Sequence, residues 1–332
     1  MSITANMPAW LLWVLRYLAI IVCCGVLPAL GLRLFMRALP ESSAAQVKNY
    51  AGRMVPLGLG MIWPLWVGGF LIFQIFFGDV RLQLMGNSNA GTPMMLLVLL
   101  GYVAAVLAAF GFGLLDDTFG SGDARGFKGH FKVLAHGRLT TGIMKLFGIG
   151  FASLFLALCL HPFNNSWELG WWSFVLWLLT VLVAGAATAL CANFVNLCDL
   201  RPGRAGKTSI LILIVGLALS FVKSWYFGLF SGTTVLLTLR TFLAFLLPML
   251  VTLPADLRER GMLGDAGANP AGLIAGGYLT TQLGLVGLIV FFALMLALNL
   301  SSEKISFSRV IEKISLLSWL DQIGRIKKEK LD

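Results

Sequence analysis

The chain has 332 residues, of which 58% are hydrophobic and 12% are charged, and its mean hydropathy is +0.87. Fifteen acidic residues cannot solvate the surface of a globule of this size, which excludes an aqueous enzyme, a disordered protein and a nucleic-acid-binding protein. The net charge of +10 is typical of the basic loops that orient membrane proteins. The composition therefore predicts an all-α, polytopic integral membrane helix bundle.

Nine apolar segments approach the length of about 20 residues that a membrane span requires. They are residues 9–32, 54–77, 93–115, 140–160, 171–192, 208–224, 233–253, 267–282 and 284–300. The first has no positive charge before Arg16 and is predicted to be a retained span rather than a signal peptide. The eighth is short and rich in glycine, so a half-helix, a re-entrant segment and a fully packed span are all open. The five cysteines lie in or beside apolar segments and are predicted to be reduced packing residues.

The distribution of lysine and arginine orients these segments. An outside N-terminus puts 21 of the 25 cations on the cytoplasmic side, as the positive-inside rule requires. The four cations that fall elsewhere are Arg16, Arg81, Lys223 and Arg240. The sequence thus predicts a multi-pass protein of the cell membrane with a cytoplasmic C-terminus.

The chain divides into a transmembrane domain, residues 1–300, and a cytoplasmic tail, residues 301–332. Apolar residues recur at helical spacing in the tail, before a basic run, which predicts an amphipathic helix. These residues are Phe307, Val310, Ile311, Ile314 and Leu317. The tail either lies along the inner membrane face or caps the bundle.

Four acidic residues fall at the predicted cytoplasmic ends of separate segments. They are Asp116, Asp117, Asp199 and Asp265. An acid next to a membrane span is costly unless it is satisfied, so such residues are functional candidates. Because all four share one predicted face, we expect them to form one site.

The loops around these acids contain the parts of a phosphate and metal site. The loop after the Asp pair combines glycines with cations such as Lys128 and also contains His130. Carboxylates, glycines and cations together suit a hard divalent ion and a polyphosphate. Asp265 lies beside Gly264 before a predicted helix start, where free backbone N–H groups favour an anion or an ion-bridged phosphate.

The loop after the fifth segment has a regular polar spacing. Asn193, Asn196 and Asp199 recur every three residues and so share one helix face. Arg201 and Arg204 follow, and guanidinium groups bind phosphate through paired hydrogen bonds. Asn193 and Asn196 therefore join the predicted substrate site, although an interhelical hydrogen bond is an alternative role for either.

Three ordered motifs resemble those of the polyprenyl-phosphate N-acetylhexosamine-1-phosphate transferase superfamily. They are LLDDTFG (114–120), NFVNLCD (193–199) and MLGDAG (262–267). Weaker similarity lies in NYAGRMVPLGLG (49–60) and GFKGH (126–130). The chain departs from the family pattern at Gly120 and Pro202 and has no histidine after His161, so we expect a divergent member.

The resemblance implies a phosphoglycosyl transferase of the kind used in cell wall biogenesis. Such an enzyme transfers a sugar 1-phosphate from a cytosolic UDP-sugar to a membrane polyprenyl phosphate and releases UMP, with Mg²⁺ or Mn²⁺. It implies that Asp265 binds the metal with support from Asp199. Asp116 or Asp117 would position or deprotonate the lipid phosphate, and a covalent two-step path stays open.

Two other functions fit parts of the sequence. An ion-coupled transporter also has broken spans and membrane-edge acids, but its acids are expected near the midplane and its halves should mirror each other. A catalytically inactive scaffold is the third possible function. The presence of all four acids argues against it. The sugar, the lipid and the oligomeric state, with a homodimer among the alternatives, are not determined by the sequence.

Overall fold

A computed structural model describes residues 7–39, 46–78, 92–120, 140–163 and 170–325. This part of the chain is almost entirely helical, which confirms the predicted all-α fold. Its main helices are α1 (Ala9–Ala38), α2 (Leu59–Phe76), α3 (Thr92–Phe119), α4 (Thr141–Leu160), α5 (Trp171–Cys198), α6 (Arg204–Tyr226), α7 (Gly232–Leu257), α8 (Gly264–Thr280) and α9 (Leu285–Ser302). The strands β1 (Gln46–Lys48) and β2 (Met54–Pro56) form one antiparallel hairpin.

Eight of these helices, all except α8, are long and apolar enough to cross a membrane, so the protein is a multi-pass membrane protein. Several extend beyond the predicted spans. α3 and α5 each contain 28 residues and are therefore about 42 Å long, against a hydrocarbon core of about 30 Å. Their last turns, which carry polar residues of the predicted site, thus reach past the apolar part of the bundle. All five cysteines are free and buried, as predicted.

Helix α8 is the predicted eighth segment, and it is a fully packed helix. Every residue from Ala266 to Thr280 is buried, and α8 packs against α3, α5 and α6. Its glycines allow this close packing: a Cβ on Gly272 would lie 2.7 Å from the Cα of Ala192 in α5. Small residues let neighbouring helices approach closely in membrane proteins. The glycine-rich composition of α8 therefore places it at the centre of the bundle.

The hairpin holds the segment that leads into α8. The side-chain oxygen of Asn49 accepts the backbone N–H of Arg53, which closes the turn between β1 and β2. The N–H of Met262 donates to the carbonyl of Pro56 at 2.9 Å. The side-chain amide of Asn49 donates to Glu259 at 2.7 Å. These bonds fix the connection between α7 and α8 relative to the start of α2.

The tail contains two short helices, α10 (Phe307–Lys313) and α11 (Ser315–Gln322). The predicted helix spacing ran through this region without a break. The structure interrupts it at Ile314, whose backbone is extended. The two helices pack on the bundle by contacts described below.

The close packing of α8 on α5 yields a stability prediction. Replacing Gly272→Val should destabilise the protein by about 1–3 kcal/mol, because the new side chain meets the backbone of Ala192 and Cys191. Gly150→Ala is the matched control, since a Cβ on Gly150 in α4 would meet nothing within 4 Å. Thermal unfolding of the two purified variants in detergent checks this. Equal unfolding temperatures would contradict the proposed close packing.

Candidate functional site

Three helix ends meet at the start of α8. Asp116 and Asp117 lie in the last turn of α3, and Asp199 directly follows α5. Asp265 lies in the first turn of α8 itself. The structure thus brings together the four acids that the sequence predicted to share one site.

Two of these carboxylates cap the N-terminus of α8. The N–H groups of Asp265 and Ala266 donate to the two oxygens of Asp117 at 3.0 and 2.9 Å. The N–H of Gly264 donates to Asp199 Oδ2 at 3.0 Å. The first N–H groups of a helix have no partner within the helix, and its N-terminus carries partial positive charge. Carboxylates from α3 and from the end of α5 therefore complete α8.

Gly264 is required where it stands. Its φ is +62°, in the left-handed region that disfavours other residues. A Cβ at this position would also lie 2.8 Å from an oxygen of Asp117. Glycine therefore lets the backbone turn into α8 while the capping carboxylate approaches it.

Lys145, which was not among the predicted site residues, joins two of the acids. Its Nζ donates to Asp116 Oδ2 at 2.6 Å and also donates to Asp265 Oδ2. The three side chains are each less than one quarter exposed. A lysine within a predicted membrane span is costly unless it is paired. The position of Lys145 inside the fourth predicted span was thus the signal that could have identified it.

A second carboxylate cap lies beside the first. Asp256, at the end of α7, accepts the N–H of Gly203 at 2.9 Å at the start of α6. Burial of the Asp199 carboxyl and the nearby charge of Asp256 raise the pKa of Asp199 well above its ordinary value, against the effect of the Gly264 N–H. Sequence reasoning missed Asp256, although an acid three residues after the seventh predicted span resembled the other candidates.

A cavity of about 240 Å³ opens next to this cluster, between α4, α5, α8 and α9. Three asparagines line it, Asn193, Asn196 and Asn269, together with Lys145. Ser302 and Glu303 at the end of α9 also line it, and small and apolar residues of α4 and α5 form the rest of its wall. Lys145 therefore lies where the cavity meets the carboxylates, and the predicted residues Asn193 and Asn196 face that same cavity.

Asn193 also connects two helices. Its amide nitrogen donates to the side-chain oxygen of Asn299 in α9 at 2.6 Å. Asn299 in turn donates to the backbone carbonyls of Leu190 and Met295. The structure therefore gives Asn193 the interhelical role that the sequence left open, at the edge of the cavity.

The structure gives the two predicted phosphate-binding arginines partners in the tail. Arg204 is buried and donates to both oxygens of Asp321, at 2.7 and 3.1 Å, and to Ser308 Oγ at 2.8 Å. Arg201 pairs with Glu312 and lies over the ring of Tyr50. Arg204 therefore anchors α11 to the start of α6.

The other two predicted substrate-binding residues, Lys128 and His130, lie outside the described residues. Within the described ranges, no group of three or more Asp, Glu, His or Cys residues is arranged to hold a metal ion. Mg²⁺, however, is usually held by one or two carboxylates together with substrate phosphates and water. The chemistry of Asp199 and Asp265 fits that second arrangement and does not fit a cage made of protein ligands alone.

The charge balance of the cluster also favours a bound cation. Four carboxylates meet there, and in the part of the chain that the structure describes Lys145 is the cation that pairs with them. Carboxylates brought together repel one another unless cations neutralise them. The site is therefore suited to a further positive charge.

Comparison with known proteins adds no relative. No protein-family model matches the chain, and no curated protein and no solved structure shows a significant match.

The α8 cap yields a prediction that separates the two neighbouring acids. Asp117→Asn should destabilise the protein by about 1–3 kcal/mol, because an amide leaves one of two buried N–H groups without an acceptor. Asp116→Asn should cost less, since Asp116 pairs with Lys145 and accepts no α8 N–H. Chemical or thermal unfolding in detergent compares the two. A larger loss for Asp116→Asn would refute the capping role.

The tail contact yields a pH prediction. Burial alone would raise the pKa of Asp321, but the hydrogen bonds and charge of Arg204, with the charges of Arg325 and Lys207, hold it below its ordinary value. A lowered folded-state pKa stabilises docking above the ordinary aspartate pKa of about 3.9, and this contribution is lost as the pH falls through the folded-state pKa. The tail should therefore loosen in acid.

A nitroxide on Ser315→Cys would report this loosening as greater mobility at low pH. The same label in an Asp321→Asn background should already be mobile at neutral pH, since that change leaves Arg204 buried without its partner. An immobile label in that background would show that other contacts hold the tail.

Proposed function

We propose that this protein transfers a sugar 1-phosphate from a UDP-sugar to a polyprenyl phosphate and releases UMP. The observation that carries the proposal is the meeting of four carboxylates and Lys145 at the α8 N-terminus, beside a cavity that three asparagines line. Phosphate chemistry needs cations, positioned carboxylates and backbone N–H groups in one place. The ordered motifs that resemble the transferase superfamily carry these same acids.

The reaction is proposed to be a direct displacement. An oxygen of the lipid phosphate attacks the phosphorus that bears the sugar, a new P–O bond forms, and the bond to the UMP oxygen breaks. Both oxygens of Asp117 accept backbone N–H groups, so its proposed role is to hold α8 in place. Asp116 is the proposed group that positions the lipid phosphate, whose own second pKa of about 6 makes a strong base unnecessary.

Lys145 is proposed to neutralise phosphate charge at the cavity mouth. Its ammonium already bridges Asp116 and Asp265 and lines the cavity. A lysine is a compact point charge that can exchange a carboxylate partner for a phosphate oxygen. Asn196 and Asn269 supply amide groups to the bound substrate from the same wall.

Asp265 and Asp199 are the proposed Mg²⁺ ligands, with Mn²⁺ as an alternative metal. When bound, the ion neutralises the diphosphate and so favours its meeting with a second anion. Arg204 is paired with the buried Asp321 and Arg201 with the more exposed Glu312, so these two residues are left out of the proposed substrate site.

The proposed orientation puts the carboxylate end of the bundle in the cytoplasm, where nucleotide sugars are available. Its support is the concentration of lysine and arginine in the connections at that end. The transporter alternative has less support, because the acids lie at helix ends rather than near the middle of the bundle. An ion-coupled transporter would be expected to have its acids near the middle of the membrane.

The test is release of UMP by purified protein given polyprenyl phosphate and a panel of UDP-sugars. One sugar should support turnover, and excess EDTA should abolish it because the ion offsets phosphate charge. Asp265→Asn should lower the rate by about 100-fold or more, since each factor of ten corresponds to about 1.4 kcal/mol of transition-state stabilisation.

The matched control is Asp79→Asn, which the sequence places on the opposite membrane face and which should be nearly silent. Thermal unfolding of both variants verifies that they are folded. No UMP from any UDP-sugar would reject the proposed transfer. Turnover in excess EDTA would reject only the proposed metal requirement.

A further inference from the structure

A second cavity lies at the end of the bundle opposite the carboxylates. It has a volume of about 450 Å³ and is lined by residues at the far ends of α4, α6 and α8. Lys145, Arg204 and Asp265 lie near the opposite ends of those three helices, at their starts, and α8 alone is about 25 Å long. The cavity is therefore a separate feature from the proposed transferase site.

One cation faces this cavity. Lys223, in the last turn of α6, was one of the four cations that did not follow the positive-inside distribution. Its Nζ donates to the backbone carbonyl of Thr281 at 2.9 Å. An ammonium group has three protons to donate, so this bond leaves donor capacity for a ligand. The described lining of the cavity contains no carboxylate.

His161 supplies a second polar group. It follows α4 and lines the cavity, and its Nε2 is buried without a hydrogen-bond partner among the described residues. A buried polar atom of this kind calls for a ligand, an ion or water as its partner. Burial of the imidazole and the nearby charge of Lys223 lower its pKa, so the ring is neutral at pH 7. The hydroxyls of Thr180 and Thr281 donate to helix carbonyls instead.

The surrounding side chains indicate the depth of this cavity in a bilayer. Trp177 lines it, and the centroid of its ring lies 5.5 Å from that of Phe163 and 5.6 Å from that of Phe174. Trp171 and Trp225, nearby at the ends of α5 and α6, are 70% and 74% exposed. Exposed tryptophans concentrate where lipid headgroups meet the hydrocarbon. The Lys223 ammonium therefore lies at the level of lipid phosphates.

We infer that this cavity is a binding site for a negatively charged phosphate group, held by Lys223 and His161. The shared chemistry is a phosphate oxygen that accepts from the ammonium and from the imidazole. An anionic lipid headgroup and a free phosphate ion both have such an oxygen. The exposed tryptophans near the cavity favour the lipid headgroup. The site is independent of the proposed transfer reaction.

The test uses the purified full chain in neutral detergent and the midpoint of thermal unfolding. Short-chain phosphatidylglycerol should raise the midpoint saturably, because a ligand that binds the native state stabilises it. Short-chain phosphatidylcholine, which carries a cation beside its phosphate, should bind more weakly than phosphatidylglycerol by a factor of about ten or more. Inorganic phosphate in a separate titration distinguishes the sources: a shift with the lipid alone identifies a headgroup site, and a shift with both identifies a general phosphate site.

Lys223→Gln should weaken the lipid effect about tenfold, as expected for the loss of one charged hydrogen bond. Lys304→Gln, which removes the same charge from an exposed residue at the other end, is the matched control. His161→Leu is the second variant should Lys223→Gln fail to fold, and it should also weaken binding. Equal effects of the two lipids, no saturable shift, or wild-type binding by the folded variants would overturn the inference.

Discussion

The N-terminus of a buried helix is the constraint on which this structure depends. Helix α8 is surrounded by other helices, and its first N–H groups, which are partly buried, find their acceptors in neighbouring segments. Asp117 and Asp199 accept three of them, and each comes from the end of a different helix. The central helix, its two neighbours and the acid cluster are thus parts of one arrangement, because each cap requires the end of a neighbouring helix to meet the start of α8.

The same arrangement creates the chemistry of the site. Once α3 and α5 are fixed by their caps, Asp116 and Asp265 lie close enough for Lys145 to bridge them. The asparagines of α5 and α8 then face one cavity beside that lysine. The two adjacent aspartates have different contacts: Asp117 caps α8, whereas Asp116 pairs with Lys145, which lines the cavity.

Charge is distributed unequally between the two ends of the bundle. The α8 start gathers carboxylates in excess over the cation that contacts them, and the tail adds a separate buried pair between Arg204 and Asp321. The opposite end has Lys223 and a neutral imidazole facing a cavity without a described acid. One end therefore suits a cation with phosphates, and the other suits a single anionic group.

The sequence by itself determined the all-α membrane fold, the approximate positions of the spans and the four acids at one end of the bundle. Hydropathy, positive charge and acids beside spans are local signals. Tertiary structure decided that the eighth segment is a packed helix, since the glycines of α8 allow close packing only where α5 and the other neighbouring helices approach it. The sequence spacing predicted that Arg204 lies in the substrate site. In the structure it pairs instead with Asp321, which lies 117 residues away in the tail. Lys145 became part of the cluster only when α4 approached α8. Contacts between distant segments depend on which helix faces meet, and no local pattern records that.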